Sequence, residues 1–320
     1  MKVKVFIAIF VLSVVVSFSL LFLTLYIPYL VNKYLERMFP DITSLDPVGR
    51  QAREEFINRA LPIGTILLII LAVIIVLGFL VNKGLLYIGS IGFYLPVFGS
   101  FAFTMFFLAG IGVLRVLWLP LYIVSPYVLK LGHIVLAPML FFLVVMFFMP
   151  QLRALYTLME LTILAIMYTG ILVFTLGVFT WIYWRIEGKP VIDYWIYKYS
   201  RHPQYLGYLL WSYGLLCTTG WSPYDNIIPS LPWLISAILV ISKALLEEID
   251  MVRKHGDTYL DYRRKTPFLL PLPRILSRAI TYPARRILGK RYPENTREVA
   301  LVAVTYTILL IILSFPLVYL

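Results

Sequence analysis

Arg201-His202-Pro203-Gln204-Tyr205-Leu206-Gly207 places a guanidinium, an imidazole and a phenol at the entrance of an apolar segment, and the chain later returns to a carboxylate pair, Glu247-Glu248. Ionisable groups at the ends of adjacent membrane spans are costly to bury and are functional candidates by default. A cation, a ring nitrogen and two carboxylates at one depth can hold a polar small molecule by charge-assisted hydrogen bonds. Lys243 stands one turn before Glu247 on the same helical face and slightly deeper. Plainer readings exist for each residue. Lys243 can snorkel and pair with Glu247, Arg201 can anchor phosphate headgroups, His202-Pro203 can simply begin a helix, and the two glutamates can pair with Arg253 or Lys254. Their joint occurrence favours a site.

Two helices must bring these residues together. The intervals His202–Gly220 and Pro229–Glu247 each run eighteen residues, about 27 Å of helix. An antiparallel hairpin of two equal helices therefore returns Glu247 and Glu248 to the depth of Arg201 and His202. The composition places that hairpin in a bilayer: of 320 residues, 61% are hydrophobic and 14% charged, with a mean hydropathy of +0.88. Apolar runs of spanning length occur at Val3–Val31, Leu61–Asn82, Phe93–Leu114, Ile134–Met149, Leu161–Trp184, Tyr205–Gly220, Ile227–Leu246 and Val299–Leu320. Strand-like alternation does not persist. The expected fold is all-α, a polytopic transmembrane helical bundle of about eight spans with a C-terminal cytosolic cofactor-binding segment. The first run is too long for a signal-peptide core and reads as a retained span. Cys217 lies alone inside a span, which excludes an internal disulfide or a multi-cysteine metal site.

Charge sets the orientation. Between Arg253 and Arg291 eleven Lys/Arg face only Asp257 and Asp261, a local balance of +9, so this segment is expected on the cytoplasmic side. The hairpin places Arg185–His202 on the same side. An external N-terminus, the favoured placement, fits if Val116–Leu131, broken by Pro120 and Pro126, is re-entrant; an internal one needs that stretch to cross. The expected organisation is 1–150, N-terminal spans without an assignable chemistry; 151–292, the core that carries the site; and 293–320, a closing span. Gly110-Ile-Gly112 imitates half of a dinucleotide fingerprint, but it sits mid-span and lacks the third glycine. Within Pro271–Leu288, Ile275, Leu276, Ala279 and Ile280 form an apolar side and Arg274, Arg278, Arg285 and Arg286 a basic one. That pattern suits an interfacial stretch facing anionic lipid headgroups, with Pro283 expected to interrupt any single helix. No nucleic-acid partner is expected.

The string Tyr197–Gly207 resembles the R-H-P-x-Y-x-G signature of the isoprenylcysteine carboxyl methyltransferase and phospholipid methyltransferase superfamily. The later motifs follow in order: Glu247-Glu248-Ile249-Asp250-Met251, then His255-Gly256-Asp257-Thr258-Tyr259-Leu260-Asp261-Tyr262, then Thr266-Pro267-Phe268-Leu269-Leu270-Pro271. The likeness covers Tyr197–Pro271. It implies an integral membrane methyltransferase that uses S-adenosylmethionine and acts on a membrane-embedded lipid or lipidated acceptor. It further implies that Tyr197, His202, Pro203, Tyr205, Leu206, Gly207, Glu248, Tyr259 and Tyr262 hold the cofactor, while Arg201, Lys243 and Glu247 serve the reacting end. Lys243 stands where the isoprenylcysteine enzymes carry an arginine, so a bidentate fork becomes a point charge. His255 replaces an aromatic residue, and Asp193-Tyr194-Trp195-Ile196 stand where relatives often carry a glycine. Sterol reductases share a related string but bind NADPH. They usually have Asn at the position of Gln204 and an acidic residue at that of Tyr208. A non-catalytic transporter or receptor would instead show polar residues near the midplane of several spans.

Overall fold

The computed structural model describes residues 3–35, 47–92, 113–148, 153–219 and 228–318. Among them no strand occurs. The helices of twelve residues or more are α1 (Val3–Leu35), α2 (Pro47–Leu80), α3 (Ala137–Phe148), α4 (Arg153–Glu187), α5 (Pro203–Thr219), α6 (Ser230–Lys265), α7 (Arg274–Leu288) and α8 (Thr296–Ser314). Among the described residues five segments are long and apolar enough to cross a membrane: Val3–Val31, Ile57–Leu80, Ala154–Glu187, Ser230–Lys265 and Thr296–Leu317. The protein is thus an all-helical, multi-pass membrane protein. Of the other expected spans, Tyr205–Gly220 appears as α5, at 17 residues a little short. Ile134–Met149 appears as a 3-10 turn followed by the 12-residue α3, and Phe93–Leu114 lies almost wholly outside the described residues, as does Gly110-Ile-Gly112. From residue 113 to 136 the prolines help break the chain into short pieces, Val113–Trp118, Leu119–Val124, Pro126–Lys130 and His133–Leu136, none long enough to cross.

The chain forms two compact units that share its long helices. One comprises Met1–Phe22, Ala165–Ser212 and Val240–Tyr306; the other comprises Leu23–Leu164, Tyr213–Leu239 and Thr307–Leu320. In the second, the segment between α2 and α3 is tied down by polar contacts. His133 Nδ1 lies 2.7 Å from Ser230 Oγ, Tyr213 donates to the Val135 carbonyl at 2.9 Å, and the Ile134 amide donates to Ser314 Oγ at 3.1 Å. Such bonds replace the backbone pairing that an irregular segment forgoes in an apolar setting.

The first unit depends on a close crossing of α4 and α5. A Cβ on Gly207 would sit 2.4 Å from the Phe174 amide nitrogen, and one on Gly170 would sit 2.4 Å from that of Trp211. One α4 heptad further on, Gly177 abuts Pro203 and Gln204. Small residues let helix backbones approach where packing must supply the association energy. Toward the C-terminal end of α4, Phe179 stacks on Trp195 at 5.2 Å and meets Phe6 edge-on at 5.2 Å. Helix α6 is kinked at Gly256, whose φ of 50° and ψ of −128° suit glycine alone. Beyond the kink, Tyr259 and Tyr262 bury against Val191.

One expectation is corrected. Pro283 does not interrupt the basic stretch: α7 runs through it from Arg274 to Leu288. The turn around the missing N–H is supported from outside the backbone ladder. Arg285 Nη2 donates to the Arg278 carbonyl at 2.6 Å, and Tyr306 of α8 donates to the Ile280 carbonyl.

The crossing predicts a sharp cost for the smallest added side chain. Gly207→Ala should destabilise the protein by about 1–3 kcal/mol through overpacking against backbone. The measurement is thermal unfolding in nanodiscs followed by tryptophan fluorescence. An unchanged Tm would remove the crossing as a source of stability.

Candidate active site

Helix α5 begins at Pro203, whose fixed φ suits a first helical turn and which is fully buried. The two residues before it aim at α6. Arg201 Nε lies 2.9 Å from Glu248 Oε1, with side chains only 2% and 3% accessible, and His202 Nε2 lies 3.2 Å from the same oxygen. The Arg201 Nε–H is close in distance but not aligned for a hydrogen bond, so the contact is an ion pair. Alignment goes elsewhere: Arg201 Nη1 donates to the Arg263 carbonyl at 3.0 Å, and its backbone amide donates to the Pro267 carbonyl at 3.0 Å. The guanidinium also lies over two rings, 5.6 Å from Phe268 and 5.7 Å from Tyr292. The imidazole of His202 stacks on Tyr205 at 5.5 Å and meets Phe268 edge-on at 5.1 Å.

The second carboxylate behaves differently. Successive helical residues point about 100° apart, so Glu247 turns from Arg201 toward Tyr205 and Lys243. Its Oε1 accepts from the Tyr205 hydroxyl at 2.7 Å and from Lys243 Nζ at 2.6 Å. Lys243 is 10% accessible at its side chain, whereas Glu247 is 35% accessible. The plain reading of Lys243 as the i+4 partner of Glu247 therefore holds, and the pair is joined to α5 by Tyr205. Arg253 and Lys254 do not take the glutamates.

Tyr197 connects this cluster to the end of α6. Its hydroxyl donates to Gln204 Oε1 at 2.9 Å, and its carbonyl accepts from the Tyr262 hydroxyl at 2.8 Å. Burial, with Tyr262 and Glu247 nearby, pushes the Tyr197 phenol far above its usual range, so it is a hydrogen-bond donor at any physiological pH. Beside Tyr262 opens a cleft of about 530 Å³ whose walls carry both signs of charge: Lys189, Lys198 and Lys265 against Asp193 and Asp261. This volume falls in the range of small-molecule sites.

The structure thus brings together Tyr197, Arg201, His202, Tyr205, Lys243, Glu247, Glu248 and Tyr262. Tyr259 is buried beside Tyr262, rings 5.8 Å apart. Pro203 and Gly207 face α4, and Leu206 is buried. Several participants were not read from the sequence. Gln204 is a hydrogen-bond partner of Tyr197, Arg263 supplies a carbonyl, and Tyr292 lies far along the chain outside every motif. No local pattern marks Tyr292.

The chain is similar to known proteins over part of its length. Residues 183–266 match a family of proteins of unknown function, DUF1295. The chain is 35% identical over 80 residues to protein-S-isoprenylcysteine O-methyltransferase of Schizosaccharomyces pombe, which covers 24% of this chain and 31% of that protein. It is 32% identical over 77 residues to methanethiol S-methyltransferase of Crocosphaera subtropica, covering 23% of this chain and 27% of that protein. The chain thus spans less than a third of either relative's length. No solved structure matches it. The resemblance to membrane methyltransferases is borne out at modest identity and over part of the chain.

Removing the buried carboxylate's charge isolates its role. Glu248→Gln leaves Arg201 without a counter-charge and should destabilise by about 3–5 kcal/mol, read as a large fall in Tm. Glu247→Gln, at a partly accessible position, should lower Tm much less. Equal losses would contradict the division between the two glutamates.

Proposed function

We propose that the protein is an integral membrane methyltransferase that uses S-adenosylmethionine and acts on a lipid or lipidated acceptor. The observation that carries this reading is the polar cluster where α5 meets α6, in the stretch that resembles two proteins named as methyltransferases. Those names specify an oxygen and a sulfur acceptor, so the shared element is methyl transfer rather than the acceptor.

The residues present suit such a cofactor. An amino-acid end carrying an ammonium and a carboxylate matches a cleft with lysines and aspartates on its walls. Asp193 and Asp261 on the cleft walls would take the ammonium and hydroxyl groups, with the partly accessible Glu247 beside Tyr205 serving the reacting end. Lys189, Lys198 and Lys265 would take the carboxylate, and Tyr262 offers a ring for the base. When bound, the cofactor supplies a methyl carbon made electrophilic by the adjoining sulfonium. The protein's task is alignment and exclusion of water more than proton transfer. His202, stacked on Tyr205 and held by Glu248, is fixed in orientation. Lys243, nearly buried and paired with Glu247 on a spanning helix, would offer its ammonium to an acceptor in exchange for that carboxylate. This charge suits an acceptor whose reacting group is anionic.

We further infer that the site faces the cytoplasm, which the excess of Lys/Arg between Arg253 and Arg291 supports. Residues 151–292 would carry the chemistry, with 1–150 and 293–320 completing the membrane part. The basic stretch before α8 would contact anionic headgroups.

Parallel calorimetric titrations with S-adenosylhomocysteine and NADPH test the assignment. Binding of the former alone is expected, and binding of NADPH alone would replace this reading with a reductase. Loss of one charge-assisted hydrogen bond costs about 1.5–3 kcal/mol. Glu247→Gln should therefore weaken S-adenosylhomocysteine by roughly tenfold or more, with the fold retained by circular dichroism. Unchanged affinity would remove Glu247 from the site.

A further inference from the structure

Helix α7 buries none of its fifteen residues. Isolated helices of that length are marginal in water, and this one contains a proline, so its apolar side needs a covering phase. Leu276, Ile280, Pro283 and Ile287 fall within one narrow stripe at 100° per residue, and Leu276, Ile280 and Ile287 are exposed. Ile275, on the flank, is 84% exposed. Arg274, Arg278 and Arg285 form a second stripe on the opposite side, with Arg286 on the flank. Short connections, 266–273 and 289–295, join α7 to two helices of spanning length, α6 and α8. The helix is therefore tethered near the membrane boundary, and Tyr306 of α8 holds it there through the Ile280 carbonyl.

The connection after α7 also reaches the candidate site. Tyr292 receives three guanidinium groups: Arg263 at 4.1 Å, Arg291 at 5.2 Å and Arg201 at 5.7 Å from its ring centre. The surrounding loop is braced, because Lys290 pairs with Glu294 at 2.8 Å and with Glu298 at 2.9 Å. Asn295 caps α8 through the Glu298 amide. A displacement of α7 must therefore reach Tyr292 through a stiff connection.

We propose that α7 docks in the headgroup layer of an anionic leaflet and, through Tyr292, braces the Arg201–Glu248 pair, so that anionic lipid orders the site. The occupant is the lipid surface: apolar side chains enter the acyl boundary while arginines on the other side meet phosphates. The effect on catalysis rests on the function proposed above; the docking and the bracing do not.

Hydrogen exchange of the full chain in nanodiscs tests both parts without any cofactor. Discs of phosphatidylcholine are compared with discs in which phosphatidylglycerol replaces a third of that lipid. Exchange across 274–288 should slow about tenfold or more in the anionic discs, and protection should also rise at 201–206 and 262–268. The triple variant Arg274→Gln, Arg278→Gln, Arg286→Gln should abolish both differences. Tyr292→Leu should keep the first and lose the second. Equal exchange of α7 in the two lipids, or a difference that survives the triple variant, would overturn the docking. Protection that grows with protein concentration would assign the face to a second copy and overturn it too. Site protection that still follows lipid in Tyr292→Leu would overturn the bracing. A parallel S-adenosylhomocysteine titration separates these results from failure of the proposed function, which would show as no binding in either disc.

Discussion

A guanidinium and a carboxylate sealed from water beside each other constrain every element around them. Burying either charge alone costs several kcal/mol, so Arg201 and Glu248 must arrive at the same depth and stay there. That requirement fixes where α5 starts and which turn of α6 faces it. It also fixes the chain beyond the α6 kink, because Arg201 holds the carbonyls of Arg263 and Pro267. Phe268 and Tyr292 close over the cation. Four separate stretches of chain thus meet at a single side chain.

Adjacent glutamates show how environment separates roles. Glu248 is enclosed and answers a fixed cation and an imidazole, which makes it a structural counter-charge that sets the orientation of His202. Glu247, one helical step away, is partly open to solvent and is shared between a phenol and an ammonium. A carboxylate with remaining accessible surface can meet a ligand; one enclosed by protein donors cannot do so without breaking them. The same pair therefore supplies rigidity at one position and available charge at the next.

Much of this was legible in the sequence because it rests on periodicity and length. Equal helical intervals on either side of the turn brought Glu247 and Glu248 to Arg201 and His202, and the i+4 spacing brought Lys243 to Glu247. The short elements were less legible. The run Ile134–Met149 has the hydropathy of a span, yet its first residues form a 3-10 turn tied by His133 and Ile134 to Ser230 and Ser314. Long-range polar bonds of this kind leave no mark in a local window. Pro283 was read as a break because a proline removes a backbone donor. The helix continues through it all the same, with Arg285 and Tyr306 donating to the carbonyls of Arg278 and Ile280, on either side of the Ala279 carbonyl that loses its partner. Tyr292 was invisible for a different reason, since a ring chosen to lie between arginines has no spacing signature.

The Arg201–Gly207 string itself divides into two interleaved faces. Arg201, His202 and Tyr205 turn toward α6 and make the polar cluster. Pro203 and Gly207, four apart and therefore on one side of α5, turn toward α4, where Gly177 and Gly170 receive them. The glycine admits a helix backbone, and what it contributes to the site is indirect. By letting α4 press against α5, it holds the helix start at which Arg201 and His202 project. Six of the string's seven residues are expected from the sequence to serve cofactor or substrate, and in the structure they divide between a polar face turned to α6 and a smooth face that packs on α4. The second must be satisfied before the first can be held in place.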